Sequence, residues 1–246
     1  MFRIRIQNKK KCIWYCSAVV SFLLFLLLLG WTNHLANTQD AQQMAGRWSE
    51  KKDVAQISCF FSSKAEVTED TIQSFEYSLK NVLQEASITE TSENPSARLW
   101  VDAYSADGKI TLVNGKNTLD ANAIGIGGDF FMFHPLKLIT GAYFSGNDLM
   151  QDYCIIDQDA AWQLFGSNDV VGMTVYIGNV PHIVTGVVRR PQGRMEKAAG
   201  LTSTVVYVSY ETLEAYGTSN GINHYEIVMP NPVDEFAYGK VKEGIG

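Results

Sequence analysis

Histidine and cysteine are the residue types best suited to catalysis and metal binding, and the chain has four of each. The histidines fit neither the H-x-x-x-H nor the H-E-x-x-H pattern of a zinc site on a helix; they are His34, His134, His182 and His224. We also identify no nucleophile elbow of the hydrolase type. The sequence therefore predicts no catalytic residue and no metal ligand.

The cysteines fall into two pairs. Cys12 and Cys16 lie in a strongly apolar run, where thiols usually serve as small apolar side chains. Cys59 and Cys154 lie in two separate strand-like runs. Two buried free thiols are the favoured interpretation of the second pair, and a disulfide between them is the alternative.

An acidic cluster consists of Asp148, Asp152, Asp157 and Asp159. A calcium loop of the EF-hand type needs oxygen ligands at alternate positions around a central glycine. Here the apolar residues 153–156 interrupt the cluster. We therefore predict solvated loop carboxylates on either side of a buried strand, with a weak cation site as the alternative.

A basic cluster follows in a loop rich in glycine and proline, and it consists of Arg189, Arg190, Arg194 and Lys197. Such a cluster in an acidic region can contact a partner or lipid head groups. An ordinary solvated loop is the favoured interpretation.

The glycine-rich run AIGIGGDFF contains Gly125, Gly127 and Gly128. A dinucleotide-binding fingerprint requires glycine where Phe130 stands, and the helix and strand context is also missing. We therefore predict a turn with positive φ angles and no cofactor.

Charge is distributed unevenly along the 246 residues. The first eleven include Arg3, Arg5, Lys9, Lys10 and Lys11, which leaves 15 of the 20 basic residues against all 26 acidic ones in the remainder. Nucleic acid is an improbable partner for so acidic a region. A hydrophobic fraction of 46% excludes a disordered chain, and four cysteines are too few for a disulfide scaffold. The length predicts one or two domains.

Residues 12–31 are uncharged and nearly all apolar, which predicts a helix that crosses the bilayer once. Trp14, Tyr15 and Trp31 stand near its ends, where aromatic rings favour the interface. The basic residues before it predict a cytoplasmic N-terminus and an extracytoplasmic remainder at the cell membrane. A cleaved signal peptide is the alternative, although the apolar run is long and no A-x-A site follows.

The remaining sequence predicts an α+β fold with a helix packed on a sheet. Residues 54–62 are typical of a strand, and an amphipathic helix begins after Thr68 with an apolar face of Ile72, Phe75, Leu79, Val82, Leu83 and Ala86. Asp107 and Gly108 predict a hairpin turn between strands at residues 99–104 and 110–113.

The second half is rich in glycine and short strands. We predict a helix at residues 158–165 that Gly166 ends, and a hairpin of residues 174–177 and 182–188 that turns at Gly178 and Asn179. Further strands are predicted at residues 201–210 and 224–229, and the start of a helix within 233–246.

Three segments resemble a known family in order along the chain. These are the run from IGIGGDFF to GNDL, the run CIIDQDAAWQLFGSNDVVGMTVYIGNVPHIVTGVV, and VVYVSYETL. They are similar to MacB-like periplasmic core domains of ABC-transporter permeases, in the superfamily of FtsX-like permeases. The chain departs from the family at Ala142, where arginine usually follows the glycine, and at Ser209, where proline is common.

The resemblance implies a module of two extracytoplasmic subdomains behind one membrane helix. The implied organisation is a basic tip at 1–11, the membrane helix at 12–31, a stalk at 32–53, an α+β subdomain at 54–119 and 216–246, and a β-rich insertion at 120–215. The family's later membrane helices have no counterpart here, so we expect a truncated form whose residues 233–246 pack poorly.

The resemblance implies a non-catalytic module that transmits motion from a cytoplasmic ATPase to an extracytoplasmic substrate or partner. Its expected partners are the lipid bilayer through residues 12–31, an ABC ATPase subunit and other permease helices or subunits. A stand-alone membrane-anchored binding or sensory module is the alternative, and an anchored hydrolase is the least favoured function.

Overall fold

A computed structural model describes residues 2–49, 53–89, 98–190, 193, 198 and 203–245. The chain divides into two units, Met1–Gln43 and Met44–Gly246.

The first unit is one long helix followed by a short turn of 3₁₀ helix, Asp40–Gln42. Helix α1, Phe2–Asn37, contains the predicted span and extends beyond it at both ends. The residues Lys11–Asn37 form a helix long and apolar enough to cross a membrane, since 27 residues extend about 40 Å. None of their side chains is buried in the protein. The predicted stalk therefore begins as helix, because residues 32–37 contain no glycine or proline to end it.

The second unit contains ten strands and six described helices. In chain order its helices are α2 Met44–Trp48, α3 Glu69–Glu85, α4 Phe130–Phe133, α5 Gln158–Phe165, α6 Tyr210–Tyr216 and α7 Phe236–Ile245. Its strands are β1 Val54–Phe60, β2 Val101–Asn114, β3 Asn117–Gly128, β4 Leu138–Gly141, β5 Tyr153–Asp157, β6 Thr174–Ile177, β7 Val180–Val188, β8 Val205–Ser209, β9 Thr218–Ser219 and β10 His224–Pro230. The predicted α+β class is confirmed.

Helix α3 begins after Thr68, as predicted, and the backbone N–H of Thr68 donates to Oγ1 of Thr71 at 3.4 Å. Four residues of its predicted apolar face are buried, namely Ile72, Phe75, Leu79 and Leu83. Val82 is half-buried and Ala86 is exposed at the edge of that face. The ring of Phe75 contacts that of Tyr225 on β10 edge to face, so the helix is packed on the sheet.

The predicted hairpin turn at Asp107 and Gly108 is wrong. Strand β2 runs straight through both residues and pairs with β3 along its length. The turn instead lies at Gly115, which has φ +60°, between Asn114 and Asn117. Gly108 serves a different purpose, because a Cβ there would stand 2.4 Å from the carbonyl oxygen of Thr218. Its missing side chain allows a neighbouring segment to approach β2 closely.

Six strands close into a ring. In order around the ring they are β2, β3, β8, β5, β7 and β6, and β6 pairs again with β2. One cluster of buried side chains includes members of all six strands, among them Leu112, Ala123, Ile156, Val175, Val184 and Val206. The ring is therefore a packed core, as is usual for barrels of few strands.

The first half of β2 leaves the ring and pairs with β10, which pairs in turn with β1. Helix α3 covers this part of the sheet, and we call the combination of α3, β1, β10 and the first half of β2 the α+β layer. One sheet thus continues from the layer into the ring, across the predicted boundary at residue 120. The boundaries of the two subdomains remain a prediction.

The hairpin at Gly178 and Asn179 and the helix α5 with its cap at Gly166 match their predictions. The predicted strand 201–210 is shorter, since β8 ends at Ser209, whose Oγ accepts the N–H of Thr212 and begins α6. Residues 201 and 202 lie outside the described part.

The expectation of poor packing at the chain's end is wrong for α7. This helix buries Ala237 and Val241 in the main core. Its Gly244 lies where a Cβ would stand 2.3 Å from the ring of Phe75, so α7 packs closely on α3.

Candidate functional site

The predicted acidic and basic clusters meet, and neither is a solvated loop throughout. Asp157 is 2% exposed, and its Oδ2 accepts from Nη2 of Arg190 at 2.6 Å and from Nε at 3.0 Å. The N–H groups of Ala160 and Val205 also donate to this carboxylate. Asp159 lies 3.0 Å from the same guanidinium. Arg190 therefore neutralises the buried carboxylate, which argues against a cation site there.

Asp148 and Arg189, which the structure also describes, do not belong to this contact. The carboxylate of Asp148 accepts the N–H of Ser145 at 2.9 Å, and Arg189 is exposed. Arg194 and Lys197 lie outside the described residues.

The predicted glycine turn is correct for one of its three residues. Gly128 has φ +64°, whereas Gly125 and Gly127 lie in the extended strand β3. A Cβ on Gly127 would stand 2.0 Å from the ring of Tyr104, and one on Gly125 would stand 2.8 Å from Leu213. These two glycines allow close packing of an aromatic ring and of α6 on the strand.

Three of the four histidines lie in the second unit, and His134 and His224 both lie close to Glu226. His134 contacts the carboxylate of Glu226, and His224 contacts Asn223. His182 is buried beside Oγ1 of Thr212 at 3.2 Å, and burial lowers the pKa of its imidazole. His34 lies in the last turn of α1. Among the described residues, no three His, Cys, Asp or Glu side chains are arranged to hold a metal ion.

One serine motif was not predicted from the sequence. Residues 217–221 read GTSNG and fit the G-x-S-x-G pattern around Ser219. A nucleophile elbow lies on a sharp turn from a strand into a helix. Here the pentapeptide follows α6 and contains β9, which pairs with Gly108 and Lys109 of β2. The geometry therefore does not support a nucleophile at Ser219.

All four cysteines are free thiols. Cys154 is buried in the ring and Cys59 is half-buried on β1. Burial raises the pKa of the Cys154 thiol to about 12, which keeps it protonated and unreactive. The favoured interpretation of two free thiols agrees with this arrangement.

A pair of carboxyl groups that the sequence did not single out lies between α3 and β2. Glu76 of α3 and Asp102 of β2 share a hydrogen bond, and the hydroxyl of Tyr225 donates to Oδ2 of Asp102 at 3.0 Å. Burial and the charge of Asp102 raise the pKa of Glu76 to about 8. Burial likewise raises the pKa of Asp102. The pair therefore holds a proton near neutral pH.

This carboxyl pair lies in a cleft of about 540 Å³. Further lining residues are Lys80, Arg98, Leu99, Trp100, Tyr104 and Asn147. The alternation of buried Val101 and Ala103 indicates that Asp102 and Tyr104 face the other side of β2. The cleft forms between this side of β2 and α3, which are distant in sequence. Local sequence patterns therefore give only a weak signal for it.

Helix α2 is firmly held at the start of the second unit. Met44 is 2% exposed and belongs to a cluster with Val101, Ile126 and Phe130. Its backbone N–H donates to Oε1 of Gln56 at 3.0 Å. Arg47 donates to the carbonyl oxygen of Met132 at 2.6 Å. The element next to the membrane helix in sequence is thus docked on the body.

Comparisons with known proteins agree with the resemblance. The family model of the MacB-like periplasmic core domain matches residues 20–244. The macrolide export ATP-binding/permease protein MacB of Pasteurella multocida is 31% identical over 98 residues, which are 39% of this chain and 14% of that protein. The chain thus spans a small part of the length of this relative.

Two solved structures are similar at low identity. The periplasmic region of MacB from Actinobacillus actinomycetemcomitans has a TM-score of 0.43 and 24% identity, covering 59% of this chain and 65% of that one. The extracellular domain of the noncanonic ABC-type transporter YknZ from Gram-positive bacteria has a TM-score of 0.48 and 17% identity, covering 77% of this chain and 92% of that one.

The family match covers the second half of the apolar helix and nearly all of the α+β body. The chain therefore belongs to the MacB-like periplasmic core domains, the periplasmic domains of ABC-type permeases.

Proposed function

We propose that this chain is the non-catalytic extracytoplasmic part of an ABC-transporter permease-type subunit, and that it transmits motion driven by a cytoplasmic ATPase. The observation that carries the proposal is the family match, which continues from the apolar helix into the body. The ATP-binding/permease names of its relatives support an ATPase as the partner.

The distribution of charge supports the orientation. Five basic residues and no acidic ones precede the apolar part of α1, and the chain beyond it is strongly acidic. Positive charge is retained on the cytoplasmic side of membranes. We therefore place the N-terminus in the cytoplasm and the body outside, with the bilayer and the other permease helices as its surroundings.

A mechanical route supports the transmission. The chain passes from α1 through one turn of 3₁₀ helix into α2, which Met44 and Arg47 hold on the body. Strand β2 then continues from the α+β layer into the ring. A displacement that reaches α2 would meet packed elements, and packed elements transmit strain.

The non-catalytic role is supported by the contacts of the ionisable side chains. Arg190 is engaged by Asp157, His134 by Glu226 and His182 by Thr212. Each of these contacts joins different elements of the fold and contributes to its packing.

Reciprocal pull-down from membranes tests the proposal. A tagged chain should recover an ABC ATPase subunit, and the tagged ATPase should recover the chain. Recovery in neither direction would contradict the proposal and favour a stand-alone binding or sensory module.

A further inference from the structure

We propose that the cleft between α3 and the first half of β2 binds a small amphipathic ammonium compound, with its cation on Glu76 and Asp102 and its apolar body against Trp100 and Leu99. This inference goes beyond the proposed function, because transmission of motion requires no ligand in the body.

The size and the lining of the cleft fit such a ligand. Ligand pockets usually have volumes of about 300–1,000 Å³, and this one has about 540 Å³. Its lining combines apolar side chains with a few polar groups, as pockets for small molecules do. Trp100 and Tyr104 are half-buried there and supply aromatic surface, which also attracts cations.

The charges of the cleft favour a cation over an anion. Arg98 is engaged by the carboxylate of Asp129 at 2.5 Å, so its charge is largely compensated. Lys80 is exposed on the rim, where water and salt screen it. The two carboxyl groups are less exposed than this rim, and the described part of the chain gives them no salt bridge to a basic side chain. The charge of Arg98 acts on Asp102 without an ion pair, and an ammonium group would add a counter-charge in direct contact with the two carboxyl groups.

The surroundings of the pair also predict how binding depends on pH. Facing it are Glu69 of α3, Tyr104 of β2, Tyr225 of β10, and Asp129 with Arg98. The acidic neighbours and burial keep the pair protonated near neutral pH. An incoming cation replaces the bound proton, so binding releases a proton and tightens as pH rises through the pKa of about 8 for Glu76.

Isothermal titration of the full chain in lipid nanodiscs tests the inference, with 1-naphthylmethylamine as the probe. Its matched control ligands are the neutral 1-naphthylmethanol and the anion 1-naphthoate. We expect the amine to bind at least about tenfold more tightly than either, the value of one modest ion pair. Binding in two buffers of different ionisation enthalpy should show proton release near pH 7 that diminishes as pH rises through about 8, below the range in which the amine itself deprotonates.

Variants assign the binding to the pair. Glu76→Gln should weaken the amine about tenfold or more, and Glu85→Gln, on the same helix outside the cleft, should leave it unchanged. If Glu76→Gln fails to fold, two other measurements replace it. Trp100→Leu should weaken binding of the amine, and the affinity of the original chain for the amine should rise with pH through about 8. Equal affinity for amine and alcohol, tighter binding of the anion, or no binding of the amine at millimolar concentration would each overturn the inference.

Discussion

The buried Asp157 of the ring and the Glu76–Asp102 pair of the α+β layer are stabilised in opposite ways. In the ring, Asp157 accepts four hydrogen bonds and has a guanidinium as its partner. In the layer, Glu76 and Asp102 face each other and depend on a shared proton. The comparison indicates that Asp157 is balanced by a basic side chain, whereas burial and a second carboxyl group raise the pKa of Glu76, which therefore responds to pH.

The largest expected effect comes from breaking the ring's buried contact. Asp157→Ala leaves the Arg190 charge half-buried and two backbone N–H groups without their acceptor, so it should lower the free energy of unfolding by about 3–5 kcal/mol. Denaturant unfolding of the full chain measures the loss.

Asp159→Ala is the matched control for this change, because Asp159 meets the same guanidinium but is 56% exposed at its side chain. It should cost less than about 1 kcal/mol. Similar losses for both variants would show that Asp157 is not the central contact of the ring.

A smaller effect is expected where the layer joins the ring. Gly108→Ala places a Cβ against the Thr218 carbonyl oxygen and Leu213, and should lower the free energy of unfolding by about 1–3 kcal/mol. Gly239→Ala in α7 meets open space and should instead stabilise by about 0.5–1 kcal/mol. An unchanged free energy of unfolding in Gly108→Ala would mean that β9 and α6 do not pack closely on β2.

The layer should respond to pH in a way that the ring does not. Burial raises the pKa of Glu76 from its ordinary value of 4.5 to about 8, so the folded state keeps a proton that the unfolded state has lost, and stability should fall as pH rises between these values. The decline is best measured from about pH 6.5 to 8. His182 does not contribute in this window, because its lowered pKa affects stability below pH 6.5.

Glu76→Gln keeps the side chain's shape without its proton equilibrium, and it should flatten this decline in the melting temperature, while Glu85→Gln should not. A decline that persists in Glu76→Gln would assign the titration to another group.

The smallest effect is expected from reductant. Because Cys59 and Cys154 are free thiols, dithiothreitol should leave the melting temperature unchanged, and alkylation of the unfolded chain without reductant should modify all four cysteines. A mass that corresponds to two alkylated cysteines and not four would indicate a disulfide.

Local signals predicted the elements that depend on neighbours in sequence. The predictions of α3, of the cap at Gly166 and of the turn at Gly178 are confirmed, since each depends on a few adjacent residues. The same reasoning failed at Asp107 and Gly108. Gly108 is required by its close contact with Thr218, which is distant in sequence, and the turn lies instead at Asn114 and Gly115.

The candidate site could not be predicted in the same way. Glu76 and Asp102 belong to different elements, and their contact exists only after α3 has docked on the sheet. Arg190 and Asp157 were each noticed in separate clusters, but the strand pairing that joins them is not local. The sequence signal for this site was a carboxylate, Glu76, next to the apolar face of a helix.

Transmission of motion is the central claim, and nucleotide-dependent distance measurement tests it most directly. In a chain whose Cys12, Cys16 and Cys59 are replaced by alanine, a donor fluorophore at Gln163→Cys lies on the exposed side of α5. It reports energy transfer to acceptor lipids in vesicles that contain the ATPase recovered with the chain. We predict a change in transfer on adding Mg-ATP, and its loss when a flexible Gly-Ser segment is inserted between Gln43 and Met44. Unchanged transfer while the bound ATPase hydrolyses ATP would contradict the account.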